Sequence, residues 1–234
     1  MTDLFQALEA TWPAAANHKA GGWVVGEGRG GGKRVSSAQA IGPDALQTIN
    51  VAEAVHARLG QPALFFLRPG QEALDEALAG RGYAKVDPVV IYQAPLKALA
   101  EAPPERLTTF PIWPPLAIMT ELWDEGQVGP ARLAVMDRVT GPRTAILGRM
   151  DDRAAGVVFV GVAGDVAMLH ALHVDPAMRR KGLARNLVRA AAHWAQAAGA
   201  SHLALAVTEA NLAANALYRA MGMVCATHYH YRAK

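Results

Sequence analysis

The stretch from Val166 to Ala198 leaves the fewest choices open. Val166 to Val174 is an apolar run of strand character, stopped by Asp175-Pro176, since proline cannot donate to a ladder and restrains the residue before it. A short basic loop follows, Arg179-Arg180-Lys181-Gly182. Then Leu183, Leu187, Ala191, Trp194 and Ala198 recur at three- and four-residue steps, the period of an amphipathic helix. Gly199 stands where a C-terminal cap belongs. A strand that passes through a tight basic turn into a helix predicts packed α/β layers.

The neighbouring segments extend this alternation. His202 to Val207 reads as a buried strand, and Asn211 as the cap of a helix carrying Ala214, Leu217, Tyr218 and Met221 up to Gly222. Val224 to Tyr231 closes the series as a strand. Upstream, Thr144–Met150 and Ala155–Val162 predict two strands joined by a turn at Asp151-Asp152. Leu116 to Val139 predicts helix broken around Gly126 to Pro130. Prolines 95, 103, 104, 111, 114 and 115 crowd one segment, which predicts a linker over 99–115 between lobes 1–98 and 116–234.

The two lobes correspond. Shifted by 140 residues, Gly42 falls on Gly182, Ala45–Leu59 on Arg185–Gly199, Ala63–Leu67 on Leu203–Val207, Gln71 on Asn211 and Gly82 on Gly222. A gapless match at this many turn and cap positions predicts a duplicated unit.

Bulk properties exclude other classes. With 234 residues, 52% hydrophobic and 18% charged, the chain is long and apolar enough for a core and is not of disordered composition. No apolar run approaches the ~20 residues of a membrane span. The N-terminal Met1-Thr2-Asp3-Leu4-Phe5 lacks a signal-peptide pattern, so a cytoplasmic protein is expected. A net charge of +3 with scattered basic residues does not predict nucleic-acid binding. One cysteine, Cys225, excludes an internal disulfide, and no metal-ligand spacing is present. Gly28-Arg29-Gly30-Gly31-Gly32-Lys33-Arg34 has the look of a phosphate loop, but Glu27 stands where its first glycine belongs and Arg34 where Ser or Thr does. It reads instead as a turn between Trp23-Val24-Val25 and a strand Val35–Ala38.

The chemistry gathers at the basic turn. A helix start offers unpaired N–H groups and a positive dipole end, and Gly182 has no Cβ to keep a phosphate away. The run Arg179-x-x-Gly182-x-Ala184, preceded by Val-Asp-Pro and followed by Asn211-x-x-Ala214-x-x-Leu217-Tyr218-x-x-x-Gly222, resembles the GNAT acetyltransferase superfamily. That resemblance covers about Thr109 to Lys234. It implies a mixed central sheet flanked by helices, and transfer of an acetyl group from acetyl-CoA, without metal, to the amine of a small molecule or peptide.

Residue by residue, the resemblance implies that the backbone of Leu172, His173 and Val174 pairs with the pantetheine arm as an added strand would. Arg179, Arg180, Lys181, Gly182, Leu183 and Ala184 would cradle the diphosphate, and Asn211 would contact pantetheine. Tyr218 would protonate the leaving thiolate, or else merely pack in the core. Alternation along the third strand puts His170, Leu172 and Val174 on one face and His173 on the other. His170 is then a candidate base for the amine, with a core histidine and a water chain as the other readings. His228 and His230 alternate on the last strand, facing either the amine pocket or solvent. In the first lobe Gln39, Asp44 and Leu78 fall on Arg179, Ala184 and Tyr218. A carboxylate beside a diphosphate and a leucine without a proton describe a copy that has lost the cofactor and walls the amine site. An acyl-CoA-binding sensor is the non-catalytic alternative, and a homodimer is left open.

Overall fold

In the computed structural model, which describes residues 2–234, both halves of the chain are built from one succession of elements. The first half runs α1 (Leu4–Ala10), β1 (Ala16–Ala20), β2 (Trp23–Glu27), α2 (Lys33–Ser36), β3 (Ala38–Ala40), α3 (Ile49–Arg58), β4 (Leu64–Leu67), α4 (Glu72–Gly80) and β5 (Ala84–Pro95). After α5 (Leu96–Leu99), β6 (Thr109–Ile112), α6 (Ala117–Glu125) and α7 (Pro130–Asp137), the second half repeats it. Its elements are β7 (Arg143–Met150), β8 (Arg153–Ala163), β9 (Val166–Val174), α8 (Leu183–Ala197), β10 (His202–Thr208), α9 (Leu212–Ala220) and β11 (Val224–Ala233).

All eleven strands join one mixed sheet in the order β1-β2-β3-β4-β11-β5-β10-β9-β8-β7-β6. Each half therefore lends its last strand to the other, with β11 beside β4 and β5 beside β10. The pairings are equivalent. Leu205 faces Tyr92, and 140 residues removed in each strand, Phe65 faces Arg232. Val89 and Tyr229, the same position in the two copies, pair with each other, so the pseudo-twofold axis passes through them. The duplication read from the sequence is thus written into the hydrogen-bond register.

The exchanged strand is fastened by charge as well as by ladder. Arg232 donates to both carboxylate oxygens of Asp75 on α4, at 2.7 and 3.0 Å, and His230 Nε2 meets the same carboxylate at 2.7 Å. His230 is committed to this carboxylate and His228 is exposed. It is Tyr229 and Tyr231 that face inward, so of the two readings of these histidines the pocket-lining one is not the one seen.

Helix α8 packs one apolar face onto the second half's strands. A Cβ on Gly148 or Gly156 would lie 3.0–3.2 Å from methyls of Leu183 and Leu187, so these two glycines set how closely the helix approaches β7 and β8. Leu187 and Val188 have no exposed surface.

Four sequence expectations shift. The first-lobe helix does not span Ala45 to Leu59. Pro43–Leu46 is a 3-10 turn and α3 starts only at Ile49, because the Thr48 hydroxyl donates back to the Asp44 carbonyl at 2.7 Å and competes with the helix. The gapless match also fails upstream of β4. Phe65 pairs with Ala38, whereas its counterpart Leu205 pairs with Leu169, so Gln39 lies in a strand and is not the counterpart of Arg179. The proline-rich segment includes β6, whose Pro111 sits on the outermost strand, where a missing N–H costs no ladder bond. Val35 and Ser36 belong to α2, not to a strand. No helix among the described residues is long and apolar enough to cross a membrane.

Candidate active site

Pairing between β9 and β10 stops at Leu169 and Leu205, although β9 continues to Val174 and β10 to Thr208. Beyond that point the sheet is split. The cause is a bulge, in which Phe159 faces His170 and Val157 faces His173, so two residues, Ala171 and Leu172, oppose Val158. Ala171 takes a left-handed φ of 49°, and Trp123 Nε1 on α6 holds it by donating to its carbonyl at 2.7 Å. A bulge bends its strand and unpairs its neighbours, which leaves Leu172–Val174 as an edge that an extended ligand can join.

The bulge also overturns the expected facing. The extra residue shifts the alternation, so Leu172 and Val174 pack toward α8. His170 points to the opposite face with Trp12 and Phe159. His173 shares that side, where it approaches Gly126 so closely that a Cβ there would lie 2.5 Å from its ring.

At the mouth of the split lies the turn into α8. Gly182 is its N-cap with φ 95°, and nothing lies within 4 Å of where its Cβ would be. The first intrahelical bond is from Asn186 N to Gly182 O, so the N–H groups of Leu183, Ala184 and Arg185 remain free for an anion. Arg179 is anchored by Nε donation to the Val174 carbonyl at 3.1 Å, and Arg180, at φ 65°, is exposed. One expected member is elsewhere: Lys181 Nζ pairs with Asp151 Oδ2 at 3.2 Å in the β7–β8 turn and does not line the cleft. Arg185, which the motif did not single out, takes its place on the first turn of α8. In the first lobe Gly42 is extended, at φ −135°, and the helix begins late, so this cradle is not repeated.

Asn211 accepts from Ala214 N at 3.1 Å and so caps α9. Three residues after Asn215, Tyr218 is 5% exposed, packs its ring 6.0 Å from that of Tyr92, and lines the cleft. Its hydroxyl has no hydrogen-bond partner among the described residues. Burial pushes its pKa up to about 12, so it stays protonated throughout the working range. It is then a hydrogen-bond donor directed at whatever occupies the split.

His170 lines the cleft but is chemically occupied. Arg34 Nη1 lies 3.2 Å from its Nδ1 and Thr11 Oγ1 lies 2.8 Å from its Nε2. An arginine only donates, so Nδ1 accepts and Nε2 carries the proton, which goes to Thr11, whose own hydroxyl donates to the Ala7 carbonyl at 2.7 Å. Burial, and then the Arg34 charge, hold its pKa well below the usual 6.5. A histidine with both nitrogens committed and a cation alongside is not a free base; it is the neutral middle of a relay. Burial likewise lowers His56 and His173. An unfolded chain protonates these rings below about pH 6.5, whereas the folded one resists. Their contribution is therefore complete above that pH and lost as pH falls. Asp75, lowered from 3.8 to about 2 chiefly by Arg232, adds a second loss on further acidification. Tm measured by calorimetry from about pH 8 down to about pH 4 is expected to fall progressively from near 6.5; a flat or rising Tm would contradict this protonation pattern.

The cleft has a volume of about 1170 Å³ and runs past Tyr218 to a wall to which both halves contribute. That wall consists of Trp12, Lys33, Arg34, Asp87, Tyr229 and Tyr231. The glycine-rich run delivers Lys33 and Arg34 there. Cβ atoms at Gly30 and Gly31 would lie 3.3 Å from Ala131 and 2.7 Å from Val135, so the loop lies flat against α7 because it has no side chains. Gly31→Ala is expected to cost about 1–3 kcal/mol through overpacking, read as a lower denaturant midpoint; an unchanged midpoint would mean that the loop is not seated this way.

A split sheet edge, a free helix N-terminus with flanking arginines, and a protonated tyrosine between them thus meet in one cleft. Comparisons with known proteins show what the chain is similar to. Residues 111–223 match the model of the Acetyltransferase (GNAT) family. It is 26% identical over 235 residues to YobR, an uncharacterized N-acetyltransferase of Bacillus subtilis strain 168, covering 96% of this chain and 95% of that one. Among solved structures it is similar to a GCN5-related N-acetyltransferase from Kribbella flavida, with TM-score 0.72, 18% identity and coverage of 99% and 94%. It is also similar to a tandem GNAT protein from the clavulanic acid biosynthesis pathway, with TM-score 0.64, 15% identity and coverage of 95% and 84%.

Proposed function

We propose that the protein transfers an acetyl group from acetyl-CoA to an amine, and that only the second half binds the cosubstrate. The observation that carries this reading is the meeting, in one cleft, of the split between β9 and β10, the Gly182 turn and the Tyr218 hydroxyl. Acetyl-CoA supplies the activated acyl group as a thioester. The diphosphate is assigned to the N–H groups of Leu183–Arg185 with Arg179 and Arg180 alongside, and the pantetheine to the free edge Leu172–Val174. Backbone N–H groups of that edge are suited to hold negative charge on the carbonyl oxygen during attack.

The balance is simple. A protonated amine first gives up one proton; its lone pair then forms the N–C bond as the C–S bond breaks, and a second N–H proton compensates the departing thiolate. Tyr218 donates its hydrogen bond to the sulfur. With a pKa of about 12 against about 8.5 for an ordinary thiol, complete proton transfer from it is uphill unless the amine proton replaces it. The first deprotonation is assigned to water, because His170 has no free lone pair. Thiol release on mixing protein, acetyl-CoA and a panel of amines tests the reading. Amine-dependent release supports it, whereas acetyl-CoA binding without release to any amine would favour a sensor.

A further inference from the structure

At the inner end of the cleft a cation stands without a counter-charge. Arg34 reaches in from α2 on the glycine-rich loop, and its neighbours are all neutral. They are the His170 ring, the face of Trp12 with its centroid 5.9 Å from the guanidinium carbon, and the phenols of Tyr229 and Tyr231. Arg34 Nε has no exposed surface and no hydrogen-bond partner among the described residues. The one carboxylate among the described residues lining the cleft, Asp87, is taken by Lys33. A guanidinium never gives up its proton in a protein, and a buried charge lacking a partner is costly. Tyr229 and Tyr231 are 2% and 4% exposed, so little solvent stands in for the missing anion.

Building on the acyl-transfer reading, we propose that the acceptor is a small amine that also carries a carboxylate, and that this carboxylate docks on Arg34. Planar guanidinium and carboxylate match in a two-bond fork, and Arg34 lines the cleft, where its guanidinium can meet such a group. The two phenols add neutral hydrogen-bonding groups beside it. The amine end then lies toward Tyr218, since the same cleft runs from one residue to the other. The first half of the chain, having lost its own cradle, thus supplies the second half's acceptor specificity. The pairing of Val89 with Tyr229 on the pseudo-twofold axis is what brings the two together.

The test uses the full-length protein, acetyl-CoA, and amino acids of increasing chain length (glycine, β-alanine, γ-aminobutyrate, and α-amino acids), each paired with its carboxamide. In the wild type the best acid is expected to exceed its amide by at least about 30-fold in kcat/KM, the effect of one charged hydrogen-bonded contact. In Arg34→Met that ratio is expected to collapse to within about threefold, with acetyl-CoA affinity kept. Tm should hold or rise, because an uncompensated buried charge is replaced by an apolar chain. Parity between acids and amides in the wild type would overturn the carboxylate assignment while leaving acyl transfer standing, as would a preference that survives in Arg34→Met. A marked fall in Tm for the variant would make Arg34 a structural residue and overturn it too. Failure to bind acetyl-CoA, measured separately, would instead remove the acyl-transfer reading beneath.

Discussion

Tyr218→Phe is expected to lower kcat by about a hundredfold or more while leaving the affinity for acetyl-CoA within about twofold, since a positioned proton donor contributes roughly 10²–10⁴ to rate. The separation follows from the geometry. The ring is buried and packed against Tyr92, and phenylalanine preserves both features. The hydroxyl has no partner to lose among the described residues, so stability should not change. Because the phenol titrates at about 12, the wild-type rate should also show no loss attributable to tyrosine ionisation between neutrality and mild alkali. Steady-state kinetics with calorimetric binding checks both halves of this expectation. A variant with unaltered kcat would make Tyr218 a packing residue.

Gly182→Glu is expected to weaken acetyl-CoA binding by at least about a hundredfold. Its φ of 95° is unfavourable to any side chain, at a cost on the order of 1–2 kcal/mol. Since no atom lies within 4 Å of the Cβ position, the fold itself has room for the change. The space it fills is the one assigned to the diphosphate, and its carboxylate opposes two phosphates in front of a helix N-terminus. Two comparisons make this specific. Gly182→Ala adds the backbone strain with little bulk and no charge, and should fall in between. Lys181→Ala should alter affinity by no more than about twofold, because Lys181 is turned toward Asp151 in an exposed pair of little energetic weight. Equal losses at 181 and 182 would argue for a diffuse basic patch instead of a cradle.

Much of this was legible in the sequence because it depends on local rules. The strand Val166–Val174, the helix from Leu183, the Asn211 cap and the motif order are set by periodicity and punctuation. The repeat was legible for the same reason, at Gly82 and Gly222, whose φ values are 83° and 78°. What was illegible depends on contacts distant in the chain. The bulge at Ala171 is fixed by Trp123, 48 residues earlier, and it separates His170 from Leu172, which strict alternation assigns to one face. Arg34 meets His170 across 136 residues, and it meets Tyr229 and Tyr231 because the last strand crosses to the other half. No local pattern marks an exchanged strand. Nor could the glycine run reveal its use: Gly30 and Gly31 lack side chains in order to lie on α7, not to hold a phosphate.

The most direct measurement is a calorimetric titration of the wild-type protein with acetyl-CoA. A GNAT site in the second half and a first half without a cradle predict saturable binding of one molecule per chain, displaced by free CoA. No binding, or two equivalent molecules per chain, would contradict the account.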